Sequence, residues 1–199
     1  MHGDELQAAE ANPDVPRPFP GGRLPKHTAA IAELIEQHGA KTLLDYGAGK
    51  AGSYCPAKDK DNESALRNHP AWPGVSVHCY DPGYAPFNRL DTGPFDGVIS
   101  TDVVEHAAPF DVAWILDEMF ARASAFVYVV AACYPAKKSL PGGRNAHTTL
   151  QPPHWWHQQV SLTAKRYPQV DWVLVCEVKP AVGKKKRLLF NQASGCPLE

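Results

Sequence analysis

The stretch LLDYGAGKAG, residues 43–52, fits the pattern G-x-G-x-x-G immediately after a short apolar run. The run at 42–46 predicts a buried strand that ends at Gly47. Glycines at this spacing allow a tight turn and let the backbone approach a nucleotide closely. Ordinary glycine turns show the same pattern, so the loop indicates a nucleotide site only together with other features.

Helical and strand-like segments alternate along the rest of the chain. The segments with helical spacing lie at 27–38, at 110–123 and from Trp155 onward, with a weak one at 62–68. Besides 42–46, the strand-like runs lie at 75–80, 95–100, 125–133, 172–178 and 187–190. This order favours an α/β, Rossmann-like fold: a mostly parallel sheet with helices on both faces and a C-terminal antiparallel β-hairpin.

Length and composition predict one domain. The chain has 199 residues, a net charge of −1 and 44% hydrophobic residues, close to the average for soluble proteins. Four prolines and a Gly-Gly pair within 1–24 predict a flexible N-terminal arm, which leaves 25–199 as the functional domain. The balanced charge indicates no broad nucleic-acid footprint, so we expect no nucleic-acid partner.

Localisation is predicted from what the sequence lacks. No apolar run reaches the roughly 18–20 residues that cross a bilayer, and the N-terminus has no apolar core like that of a signal peptide. The five cysteines form no CxxC pair, which favours reduced thiols over a disulfide framework or a cysteine zinc site. We therefore expect a cytoplasmic protein with no membrane partner.

Two carboxylates stand at predicted strand ends beside the glycine loop. Asp45 lies two residues before Gly47, and Asp81, followed by Pro82, ends the strand at 75–80. A carboxylate at such a tip can accept both hydroxyls of a ribose. The spacing from Gly47 exceeds the usual ~20 residues, and an insertion at 53–72 accounts for it. The alternative interpretations are a cap for Asp45 and a plain Asp-Pro turn for Asp81.

The segment FDGVISTDVVEH, residues 95–106, extends this set. Together with the glycine loop and the tip Tyr80-Asp81-Pro82, it resembles the class I S-adenosylmethionine (SAM)-dependent methyltransferases over roughly residues 28–190. The resemblance implies that Gly47, Ala48 and Gly49 pass under the methionine and ribose of SAM. It also implies that Asp45, Asp81 and Pro82 belong to the cofactor site, with Asp81 on the ribose hydroxyls, and that Thr101 and Asp102 lie near the sulfonium.

One departure and one alternative concern the cofactor. Only thirteen residues, 82–94, stand where the family fits a further strand whose acidic end meets the adenine amine; Asp91 is the candidate there. The SAM sulfonium is cationic, so nearby carboxylates stabilise it, whereas a pyrophosphate dinucleotide needs N–H donors. NAD is the alternative cofactor.

The long polar segment at 134–153 is the predicted acceptor pocket and lid. His147 and His106 are candidate bases because an unperturbed imidazole titrates near ~6.5, and Glu105 completes the catalytic set. Lys137 and Arg144 are candidates for holding an acidic substrate group. The alternatives are that both histidines are structural and that Trp155 and Trp156 serve packing.

The same residues offer an arrangement for a metal. Asp102-x-x-Glu105-His106, with His147 or His154, is similar to the metal-assisted small-RNA 2′-O-methyltransferases and ubiquinone-biosynthesis O-methyltransferases. That resemblance implies Mg²⁺, Mn²⁺ or Zn²⁺. Asp102, however, stands where those groups carry glutamate, and the run VVEH also occurs in metal-free relatives. We therefore expect no resident metal and keep a divalent ion as the alternative.

These features predict a SAM-dependent methyltransferase acting on a small-molecule O or N acceptor. Two alternatives stay open. One is a non-catalytic SAM-binding or partner-binding accessory module, which the proline-rich arm and the paired tryptophans suggest. The other is a methyltransferase acting on RNA through basic residues at 137–138, 144 and 184–187. The sequence predicts no oligomeric state.

Overall fold

The computed structural model describes residues 23–56, 65–180 and 183–192, and it has the predicted α/β architecture. The helices are α1 (Thr28–His38), α2 (Val112–Arg122) and α3 (Pro153–Ala164). The strands are β1 (Thr42–Tyr46), β2 (Cys55–Pro56), β3 (Leu66–Asn68), β4 (Ser76–Tyr80), β5 (Phe95–Thr101), β6 (Ala123–Ala132), β7 (Asp171–Val178) and β8 (Lys186–Asn191). Apart from the weak helix at 62–68, the predicted elements are confirmed to within about two residues at their ends.

All eight strands form one sheet in the order β2-β3-β4-β1-β5-β6-β7-β8. Five consecutive members, from β4 to β7, are parallel, and β8 pairs antiparallel with β7 as the predicted hairpin. If the parallel strands β1, β4, β5, β6 and β7 are numbered 1 to 5 along the chain, they stand side by side in the sheet in the order 2-1-3-4-5. The direction of winding therefore reverses between β1 and β5. Ligands of such sheets bind outside the carboxyl ends of the strands at this switch point.

Consecutive strand residues point to opposite sides of the sheet. Both faces therefore carry buried residues, and helices cover both. On one face, Ile31 of α1 packs in the same cluster as Leu43 and Ile99. On the other face, α2 and α3 contribute Leu116 and Trp156 to a second cluster. Fully burying an apolar side chain of this kind stabilises the fold by about 1.5–3 kcal/mol relative to leaving it exposed.

The predicted short helix at 62–68 is wrong where the structure describes it. Leu66–Asn68 is strand β3, which pairs antiparallel with β4, while residues 57–64 lie outside the described residues. Three residues carry too little periodicity to distinguish a helix from a strand. Pairing with the edge of β4 determines that this segment is a strand. The local sequence gives no sign of that pairing.

The predicted arm is described only at its end, since residues 1–22 lie outside the described part of the chain. Leu24 is buried and opens a 3-10 helix at Leu24–Lys26. Arg23 donates a hydrogen bond to the hydroxyl of Tyr134 at 3.2 Å. These two residues, assigned to the arm from the sequence, are therefore part of the packed domain.

Within the described ranges, no helix combines the length and apolar character that crossing a membrane requires.

Candidate functional site

The glycine loop is fixed to the end of β4 through its own N–H groups. The N–H groups of Gly47 and Ala48 both donate to the carbonyl oxygen of Tyr80, at 2.8 and 2.9 Å. The N–H of Gly49 donates to Oδ2 of Asp81 at 2.8 Å. Gly47 and Gly49 have φ values of 91° and 58°, the left-handed region that favours glycine. The loop and the predicted ribose-binding tip are therefore in direct contact.

Asp81 combines the two interpretations that the sequence left open. Its Oδ1 accepts the N–H of Gly83 at 2.8 Å, so the carboxylate shapes the turn that continues through Pro82. A carboxylate offers about four lone-pair positions, and the two backbone N–H groups, from Gly49 and Gly83, use one on each oxygen. Each oxygen thus keeps an acceptor position for a ligand hydroxyl.

Val103, just beyond β5, lies directly against Gly47. A Cβ atom built on Gly47 would come within 2.4 Å of Cγ2 of Val103. The space that a side chain at Gly47 would need is therefore filled by Val103. The resemblance implied that the ligand also lies over Gly47. We instead expect it to lie on the loop at Gly49 and Asp81.

Asp45 is a buried carboxyl beneath the loop. It is 4% exposed, and the hydroxyl of Tyr54 donates to its Oδ2 at 2.7 Å. Burial raises the pKa of Asp45 to about 7, and the charge of Asp81 adds to the effect, while the hydrogen bond from Tyr54 lowers it. A ligand ammonium group would favour the ionised form. Sequence reasoning missed Tyr54, which lies in the segment interpreted as an insertion.

The buried carboxyl of Asp45 leads to a prediction about pH. An acid whose pKa is higher in the folded state than in the unfolded state holds its proton longer when folded, so stability falls as pH rises between the two values. For a pKa of 3.8 unfolded and about 7 folded, we expect a loss of about 2–3 kcal/mol between pH 5 and pH 8.

The measurement is urea unfolding of wild type and Asp45→Asn at several pH values. The asparagine keeps an acceptor for Tyr54, and subtracting the two profiles removes other titrating groups, including His27, whose pKa burial lowers to about 4. We expect the wild-type free energy of unfolding to fall relative to the variant as pH rises. Parallel profiles would show that Asp45 is ionised at pH 5.

The end of β5 connects the glycine loop to a second group of residues. Thr101 is the last residue of β5, and Asp102, with φ of 65°, is one of two non-glycine residues with positive φ in the described ranges. Oδ2 of Asp102 pairs with Nε of Arg23 at 3.2 Å. Asp102 and its neighbour Val103 thus face different halves of the site, since Val103 contacts the glycine loop.

Glu105, His106 and His147 form a compact cluster beside Asp102. One candidate ligand atom from each residue lies within 4.8 Å of the other two. Nδ1 of His106 is 2.9 Å from the carbonyl oxygen of Ala146, and Nδ1 of His147 is 2.6 Å from that of Tyr134. Because a carbonyl oxygen only accepts, each Nδ1 is the donor, and in the neutral form of each ring the lone pair is on Nε2.

Glu105 gives the cluster a buried carboxyl group with one unpartnered oxygen. Its side chain is fully buried; Oε1 accepts the N–H of Ala132 at 3.2 Å, and Oε2 has no hydrogen-bond partner among the described residues. Burial, and next the charge of Asp102, raise the pKa of Glu105 well above its ordinary value. An unpaired buried carboxylate is costly, and either a proton shared with Asp102 or a bound cation can compensate it.

The three side chains fit a divalent cation. Two imidazoles with lone pairs on Nε2 and one carboxylate are a donor set suited to Zn²⁺ or Mn²⁺. Of the two histidines that the sequence offered for this role, only His147 joins the cluster, and His154 is exposed at the start of α3. The cluster supplies the residues that the metal alternative requires.

An ordered hairpin-like segment positions His147. Oδ1 of Asn145 accepts the N–H groups of Ala136 and His147 at 2.9 and 3.0 Å, and its Nδ2 donates to the carbonyl of Ala136 at 2.9 Å. The hydroxyls of Thr148 and Thr149 donate to the carbonyl oxygen of Ala107 at 2.6 and 2.8 Å. Asn145 is a positioning residue, and the sequence alone did not distinguish it from other polar residues of this segment.

A cavity of about 250 Å³ opens beside the cluster. Asp102, His106 and His147 line it, together with Tyr134 and Lys137 from the predicted acceptor segment. This cavity lies beyond the carboxyl ends of β5, β6 and β7, next to the switch point between β1 and β5 where the topology predicts a ligand.

Several residues that the sequence associated with the site lie elsewhere. Arg144 is exposed and does not line the cavity. Asp91 pairs with Nδ1 of His78 at 3.0 Å, beside Thr42 and therefore toward the opposite end of β1 from the glycine loop. Trp156 is fully buried, so the packing interpretation is right for this tryptophan.

Comparisons of the chain with protein-family models, curated proteins and solved structures found no match. The function is therefore inferred from the chemistry of the two halves of the site.

Proposed function

We propose that the chain is a SAM-dependent methyltransferase, with the cofactor at the switch point between β1 and β5 and a small O or N acceptor in the adjacent cavity. The observation that carries this proposal is that the N–H groups of the glycine loop already donate hydrogen bonds within the protein. The N–H groups of Gly47, Ala48 and Gly49 all donate to acceptors at the end of β4. A pyrophosphate needs such donors free, usually at a helix N-terminus, and residues 50–54 contain no helix.

The charges around the loop favour a cationic ligand over a dinucleotide. Asp81 retains acceptor positions for ribose hydroxyls, and the buried carboxyl of Asp45 is suited to the ammonium of the methionine moiety. Asp102 stands at the border of the loop and the cavity, where its carboxylate would stabilise a sulfonium. NAD, the alternative from the sequence, has no comparable support.

The proposed reaction needs alignment and one proton acceptor. The bond between sulfur and methyl breaks as the acceptor oxygen or nitrogen bonds to that carbon, and the sulfonium becomes the neutral thioether of S-adenosylhomocysteine (SAH). Nε2 of His147 or of His106 carries the lone pair that can take the acceptor proton. Burial lowers the pKa of His106, which favours its neutral form. If the Glu105–His106–His147 cluster instead holds a divalent cation, both Nε2 lone pairs are used as ligands. The ion would then lower the pKa of the acceptor hydroxyl in place of a histidine base.

Calorimetry with SAH and with NAD⁺ tests the proposal. We expect saturable 1:1 binding of SAH and weaker or no binding of NAD⁺ to the full chain. Replacing Asp81 with asparagine should weaken SAH binding by about 1–3 kcal/mol, because one ribose acceptor is lost.

Asp91→Asn is the matched control, since this exposed acid lies away from the loop, and its SAH affinity should equal that of wild type. Preferential binding of NAD⁺ would contradict the proposal. An Asp81→Asn variant with unchanged SAH affinity would remove Asp81 from the ribose site.

A further inference from the structure

We propose that the cavity binds the carboxylate or phosphate group of a small anionic acceptor through Lys137, Lys179 and Lys185. That the bound molecule is a methyl acceptor rests on the proposed methyltransferase function, whereas the anion site is a property of the cavity itself.

Positive charge converges on this cavity from separate parts of the chain. Its basic lining residues are Arg23, Lys137, Lys138, Lys179 and Lys185. They come from the segment before α1, the segment after β6, the end of β7 and the start of β8. The chain as a whole has a net charge of −1, so this concentration is local. The fold therefore brings these basic residues together at the carboxyl edge of the sheet, where α/β sheets bind ligands.

The protein itself neutralises this charge only in part. Among the described residues, Asp102 is the one carboxylate in the cavity lining, and it pairs with Arg23. No described carboxylate lies within 4.0 Å of the ammonium groups of Lys137, Lys179 or Lys185. The charge of Arg23 repels that of Lys185, and a bound anion would relieve that repulsion.

Lys185 contacts an aromatic side chain of the cavity wall. Its Nζ lies 3.6 Å from the centroid of the Tyr134 ring, a cation–π contact. Burial, followed by the charge of Arg23, lowers the pKa of Lys185. Tyr134 is itself held by hydrogen bonds with Arg23 and Glu177, at 3.2 and 2.8 Å. The cavity thus offers an ammonium group beside an aromatic wall.

Size and chemistry limit the occupant. At about 250 Å³, the cavity is smaller than the roughly 300–1,000 Å³ of sites for drug-sized ligands. An anionic group against the lysines would leave the rest of a small molecule facing His106 and His147, where a hydroxyl or amine can lose its proton. A nucleic-acid backbone would instead need a long basic groove. The favoured substrate class is therefore a small hydroxylated or amino-bearing carboxylate or phosphate.

The test is an NMR titration of the full chain with inorganic phosphate and, separately, with benzoate. We expect saturable shifts concentrated at the amides of Tyr134, of residues 136–138 and of residues 146–147. The double variant Lys137→Gln/Lys185→Gln should bind these probes about tenfold or more weakly, because charge-assisted hydrogen bonds are lost. Lys165→Gln, an exposed lysine just beyond α3, is the matched control and should match wild type.

The outcomes separate this inference from the proposed function. Shifts that do not saturate, or equal affinity in the double variant, would overturn the anion site. A short single-stranded RNA that binds more tightly than phosphate and loses affinity in the same variant would replace the small acceptor with a nucleic acid. SAH binding is measured in parallel: its absence in wild type would contradict the methyltransferase proposal, while intact SAH binding without anion binding would contradict only the substrate class.

Discussion

Replacing Gly47 with alanine is expected to destabilise the protein by about 3 kcal/mol and to abolish measurable SAH binding. The backbone at this position has φ of 91°, which costs a non-glycine residue about 1–2 kcal/mol. The new Cβ would also come within 2.4 Å of the Val103 side chain, and overpacking of this kind costs about 1–3 kcal/mol. Because the loop amides hold the end of β4, a displaced loop would also disturb Asp81.

Gly142 supplies the matched control for this prediction. It has a similar φ of 86°, and a Cβ there would meet nothing within 4 Å, so Gly142→Ala should show only the backbone cost of about 1–2 kcal/mol. Urea unfolding measures both variants, and the double variant Gly47→Ala/Val103→Ala should recover part of the loss. Equal destabilisation by Gly47→Ala and Gly142→Ala would contradict the role assigned to the Val103 contact.

Glu105→Gln and His147→Ala are each expected to lower the affinity for Mn²⁺ or Zn²⁺ by more than about 100-fold. Outer-shell changes alone typically cost about 10–100-fold, and these two residues would bind the ion directly. Glutamine keeps the volume of Glu105 and an acceptor for the Ala132 N–H, so the fold should persist. Calorimetry or equilibrium dialysis of the full chain gives the affinity and the stoichiometry.

The second histidine considered from the sequence is the control for the metal prediction. His154 is exposed and outside the cluster, so His154→Ala should bind the ion as tightly as wild type. Wild type that binds no ion at millimolar concentration would restore the expectation of a metal-free site. An equal loss in His154→Ala would show that the ion binds elsewhere.

The order of elements and the contact between the glycine loop and Asp81 were both predictable from local sequence. Strand runs end at Gly47 and Asp81, and parallel strands bring their carboxyl ends to one edge of the sheet. The same reasoning failed for Leu66–Asn68, where pairing with β4 determined the structure of a three-residue segment. The resemblance made Asp91 the candidate for contact with the adenine amine, whereas its side chain pairs with His78.

The second half of the site depended on contacts between distant parts of the chain. His147 and His154 are equally plausible partners of Glu105 in the sequence, and only the packing of the segment after β6 brings one of them to it. Tyr54 reaches Asp45 from a segment without clear periodicity, and Arg23 reaches Asp102 from residues assigned to the arm. Such contacts have no signature in periodicity or spacing, so local patterns could not predict them.

A crystal structure of the full chain with SAH bound tests the central claim most directly. The account predicts that the ribose hydroxyls contact the carboxylate of Asp81 beside Gly49, and that the sulfur faces the cavity lined by Asp102 and His147. SAH bound away from this strand edge, or a loop closed against the adenosyl group, would contradict it.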